Sequence, residues 1–83
     1  MQLIDNLKAL ATANLSGTDS VLRASRDADT LDRQEASQLA SEIATALQEG
    51  NFERLTIQNP GLQTRITYVN QKQQMSTLEF TRH

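Results

Sequence analysis

Asp27, Asp29, Asp32 and Glu35 form the densest cluster of carboxylates in the chain. Acids at alternating positions can wrap a calcium ion in oxygen ligands, but such a loop needs a glycine at its sixth position and a glutamate at its twelfth. Counted from Asp27, those positions hold Asp32 and Gln38. The positive end of a helix dipole attracts acids to a first turn and accounts for Asp29, Asp32 and Glu35 with no ligand. Nucleophilic catalysis would need a serine or threonine beside an oriented base. The single histidine, His83, is the last residue, and there is no cysteine to act as a nucleophile or metal ligand. The three glycines fall at no spacing that cradles a phosphate. The reading is therefore no enzyme, no cofactor and no metal site.

Basic residues are the next candidates. Residues 1–50 carry four cations against eight acids, a net of 4 − 8 = −4, whereas residues 51–83 carry Arg54, Arg65, Lys72 and Arg82 against two acids, a net of 4 − 2 = +2. Arg54, Arg65 and Lys72 are the candidate nucleic-acid contacts. RNA-binding sheets combine such cations with exposed aromatic rings. Here the rings available are Tyr68 and Phe80, and the pattern of the strands turns both inward.

These residues must be positioned by elements that the hydrophobic rhythm reveals. Leu3, Ile4, Leu7, Leu10 and Ala11 recur with the spacing of one helical face, predicting a first helix over about residues 2–13. The turn formers at Asn14, Ser16, Gly17 and Thr18 end it. Between there and Leu31 only Val21 and Leu22 are large and apolar, so residues 19–27 read as a short helix. The strongest local signal follows. Asp32 can accept from first-turn amides while Glu35, three residues on, reaches back to it, a capping box with Leu31 and Ala36 placed as a hydrophobic staple. Ala36, Leu39, Ala40, Ile43, Ala44 and Leu47 continue the stripe, and Gly50 stops it. This predicts a helix over residues 32–49.

From Phe52 the period drops from 3.6 to 2. Leu55 and Ile57 alternate with polar neighbours, Asn59-Pro60-Gly61 has the residues of a type II turn, and two further alternating runs, residues 62–69 and 75–81, flank a polar stretch. Antiparallel partners must point to the same face, so the last loop must have an odd number of residues. A three- or five-residue connection results, and one register sets Arg65 opposite Glu79 and Val69 opposite Met75.

The expected fold class is α+β: two or three N-terminal helices, then a three-stranded antiparallel β-meander packed on the residue 32–49 helix. Leu55, Ile57, Ile66, Tyr68, Leu78 and Phe80 would be buried and the other sheet face polar. With 83 residues the chain has room for one domain, residues 1–83, and one thin core. The N-terminus lacks the charge pattern of a signal peptide, and the longest apolar run, Ala9 to Ala11, is far too short to span a bilayer, so a cytoplasmic protein with no membrane partner is expected. By elimination, the function is that of a non-catalytic protein-interaction module: a small bacterial or phage adaptor, chaperone, inhibitor or regulator. It would dock on another protein or on itself as a homodimer. The last strand, as an expected sheet edge, offers Met75, Thr77, Glu79 and Arg82 with Arg65 and Val69 as the partner surface. A nucleic-acid-associated regulator using the basic sheet is the alternative.

Overall fold

The computed structural model describes residues 2–16, 21–59 and 63–81. They form helix α1 (Gln2–Ser16), strands β1 (Val21–Arg26) and β2 (Asp29–Thr30), helix α2 (Arg33–Glu49), and strands β3 (Arg54–Gln58), β4 (Gln63–Val69) and β5 (Met75–Thr81). All strand pairs are antiparallel, and the sheet runs β2-β1-β5-β4-β3. No helix among the described residues is long and apolar enough to cross a membrane.

Helix α2 starts and stops where its caps dictate. The Asp32 carboxylate accepts from the Glu35 amide at 2.8 Å, and the Glu35 carboxylate accepts from the Asp32 amide at 3.4 Å. Gly50 takes the left-handed conformation, φ 73°, and its amide donates to the Ala46 carbonyl at 2.7 Å. That φ suits a residue without a Cβ. Helix α1 packs along α2, and Ile4, Leu7 and Leu10 meet Leu39, Ile43, Ile66, Leu78 and Phe80 in a single core on one side of the sheet.

The β4–β5 hairpin adopts the register that the odd-length loop allows. Arg65 lies opposite Glu79 and Val69 opposite Met75, across a five-residue connection. Asn70 organises that turn: its side-chain oxygen accepts from the amides of Lys72 and Gln74 at 2.9 and 3.0 Å, while Gln73 adopts φ 63°. The left-handed residue after a tight turn is the usual way to close a hairpin of odd length.

Three expectations are corrected. Residues 21–26 form strand β1, not part of a short helix, and pair with β2 and β5, so the described residues hold two helices and five strands. The β1–β2 connection is the two-residue turn Asp27-Ala28, with φ 50° and 71°. Both values are positive, as a type I′ hairpin requires, although neither residue is the glycine that marks such turns. The alternation of β1 is hidden because its register shifts between Val21 and Arg23, and because its positions paired with Leu78 and Ser76 are Ala24 and Arg26. Arg26 is tolerated beneath the sheet because Glu42 of α2 meets it at 3.1 Å and its Nε donates to the buried Ser76 hydroxyl at 3.0 Å.

The second correction concerns β5. Expected at an edge, it lies at the centre of the sheet between β1 and β4, so its backbone groups serve two ladders. Third, Ile57 is not buried. It remains 38% exposed because β3 is the outermost strand on its side and the helices do not cover it. The expected turn at Pro60 and Gly61, the end of the first loop at Gly17 and Thr18, and Arg82 and His83 lie outside the described residues.

Candidate functional site

The sheet face away from the helices gathers several of the residues singled out by sequence. Arg23, Glu79, Arg65 and Gln58 are successive cross-strand neighbours. Glu79 thus stands between two arginines, and the Arg65 guanidinium donates to it at 3.1 Å. A second row, Thr30, Ser25, Thr77, Thr67 and Thr56, runs one residue per strand across the whole sheet. Met75 is half exposed, whereas Val69 is buried between its cross-strand partners Arg54 and Met75. Met75, Thr77, Glu79, Arg65 and Val69 therefore share one face, but none lies on an edge strand. Charged and hydroxyl side chains on the open side of an antiparallel sheet are ordinary solvent-facing residues.

The cations proposed for nucleic acid are dispersed. Arg54 pairs with Val69, Arg65 lies four residues further along β4, a separation of about 13 Å, and Lys72 is in the β4–β5 turn. Tyr68 and Phe80 are buried on the helix-covered face, where no base can stack on them.

Three of the four clustered acids, Asp27, Asp32 and Glu35, have structural roles. Asp32 and Glu35 cap α2, and the Asp27 carboxylate accepts from the Met75 amide at 3.2 Å. Among the described residues no three His, Cys, Asp or Glu side chains come together as a group able to hold a metal ion. Beneath the sheet, Arg26, Glu42, Ser76 and Tyr68 form a polar cluster that ties α2 to β1, β5 and β4. Burial, then the charge of Glu42 and its acceptance of the phenol's hydrogen bond, raise the Tyr68 pKa above its ordinary value, while Arg26 acts in the opposite sense. Every buried side-chain polar atom among the described residues has a partner, so this cluster is satisfied by the fold itself.

What the fold leaves unsatisfied is the outer side of β3. Asn70 donates its amide to the Gln74 carbonyl at 3.1 Å. Antiparallel ladders alternate, so β4 residues with even numbers exchange bonds with β5, and Val69, Thr67 and Arg65 turn theirs toward β3. The Glu53 amide, 2.9 Å from the Val69 carbonyl, agrees. Arg54, Thr56 and Gln58, opposite those residues, bond to β4. Leu55 and Ile57 consequently direct their amides and carbonyls away from the sheet, where no further strand lies among the described residues. Their side chains face the helix side, with Ile57 exposed and Leu55 only partly buried against the core. Alongside, a groove runs between α2 and Tyr68, lined by Gln38, Ser41, Thr45 and Glu49.

Sequence alternation located β3 and assigned Leu55 and Ile57 to one face. It did not identify the strand as an edge, because that depends on where β1 and β2 join the sheet. No protein-family model matches the chain, and no curated protein and no solved structure matches it.

Proposed function

We propose that the chain is a non-catalytic protein-interaction module, a small adaptor, chaperone, inhibitor or regulator, that docks through the free edge of β3. The observation that carries this reading is the combination of outward backbone groups at Leu55 and Ile57 with an exposed Ile57 side chain on the same five-residue strand. An added strand would gain main-chain hydrogen bonds for affinity, and alternate side chains resting on Leu55 and Ile57 for specificity. Arg54 is the charged residue on this strand that would discourage indiscriminate pairing. A nucleic-acid role has less support, since its cations are separated and its aromatic rings are buried.

A photo-crosslinking residue at Gln58, on the edge strand, and another at Asn6, on the exposed side of α1, test this in the native cell. Gln58 should give discrete adducts with protein that Asn6 does not, and Ile57→Pro, which removes one outward amide, should abolish them. If the two positions give the same adducts, or neither gives any, docking through β3 is wrong.

A further inference from the structure

The edge of β3 is complementary to its own reverse. We infer that two copies of the chain pair antiparallel through β3, with Thr56 on the two-fold axis. This inference rests on the edge-docking reading and names the partner as a second copy.

In this register Leu55 lies opposite Ile57 of the second copy, and Ile57 opposite its Leu55. These residues carry the outward amides and carbonyls, so each amide finds a carbonyl and no edge group is left unpaired. On the helix side, Leu55 and Ile57 of both copies become one apolar strip that covers the exposed Ile57. On the opposite face Arg54 meets Gln58, an amide that can accept from it, and Thr56 meets Thr56, so no like charges are opposed. Cross-strand Thr pairs of this kind are favourable.

Sliding the register worsens it. Centring the axis on Leu55 leaves Ile57 opposite Glu53, before the start of the strand. Centring it on Ile57 leaves Leu55 opposite Asn59, beyond the end of the strand. The Thr56-centred pairing uses all of β3 and joins the hydroxyl rows of both copies into one line across a continuous sheet. The edges that remain are the β2 strands, only two residues long, which is short enough to recruit little.

Because the chain contains no cysteine, a single introduced thiol reports the axis directly. Thr56 and its symmetry mate form a non-hydrogen-bonded pair with Cα atoms about 4.5 Å apart, within the roughly 4.4–6.8 Å that a disulfide accepts. Thr67 and its mate are three strand spacings apart, about 14 Å. The T56C chain should therefore oxidise to a covalent dimer while T67C does not. Light scattering during size-exclusion chromatography should give a concentration-dependent dimer for the natural chain, weakened at least tenfold by Ile57→Pro. Equal oxidation of T56C and T67C, a monomer at every concentration, or a dimer indifferent to Ile57→Pro would overturn the pairing. A monomeric chain whose Gln58 adducts with a different protein still vanish on Ile57→Pro would overturn self-pairing alone and leave edge docking standing.

Discussion

The two edges of the sheet end in opposite ways. On the β2 side the chain stops after two residues, closed by a tight Asp27-Ala28 turn that accepts a left-handed alanine. On the β3 side the strand runs for five residues, with the amides and carbonyls of two of them, Leu55 and Ile57, turned outward and the Ile57 side chain partly exposed. A sheet must end somewhere, and a short end is the economical solution. That only one end is short suggests that the other is kept open for a strand from elsewhere.

The difference is sharpest within β3 itself. The Thr56 amide serves β4 and the Ile57 amide faces outward, so proline at these neighbouring positions should have unlike consequences. Thr56→Pro should cost about 2 kcal/mol more than Ile57→Pro in urea denaturation of the monomer, because it strands the Thr67 carbonyl inside the sheet. Equal costs would mean that the ladder faces have been assigned the wrong way round.

At the other edge, Ala28 holds φ 71°, a conformation that burdens residues with a Cβ by about 1–2 kcal/mol. Ala28→Gly should raise stability by about 0.5–1 kcal/mol, the remainder being lost to the freer unfolded chain. It should leave association unchanged. An effect on the dimer would implicate β2 and erase the contrast between the edges.

Smaller still is the exposed Arg65–Glu79 pair, centred on the open face that was expected to dock. Arg65→Ala should change stability by no more than about 1 kcal/mol, less in high salt, and leave crosslinking from Gln58 intact. Loss of the adducts would move the docking surface from the edge to the face.

Tyr68, directly opposite Leu55, reports the helix side of the same strand. Its folded pKa is raised, so its contribution to stability is present below the ordinary value of 10.0 and is lost as pH rises above it toward the folded pKa. As the only tyrosine, it can be followed by ultraviolet absorbance. Its ionisation should fall back to the ordinary value in denaturant, and an unchanged titration would contradict its burial beside Glu42.

Much of this architecture is legible in sequence, for identifiable reasons. The capping box at Asp32 and Glu35 specifies the start of α2 through local geometry alone. The change of rhythm after Gly50 locates β3, β4 and β5. Inward-facing Ile66, Tyr68, Leu78 and Phe80 restrict the last loop to an odd length, of which one register sets Arg65 opposite Glu79, the pairing the structure adopts. Strand β1 escapes because its signals are all unusual. Its register slips after Val21, its inward positions include an arginine that depends on distant Glu42, and its turn lacks glycine. Missing β1 makes β5 look like an edge and diverts the partner surface to Met75, Thr77 and Glu79. The free edge at Leu55 and Ile57 emerges only once the strand order is known.

Amide hydrogen exchange at β3, followed over a dilution series, tests the open edge most directly. The Thr56 amide should be protected at every concentration, while those of Leu55 and Ile57 exchange freely in dilute solution and slow together as the chain is concentrated. Protection of Leu55 and Ile57 that matches Thr56 in the dilute monomer would contradict the account, since their amides would already be bonded within a single chain.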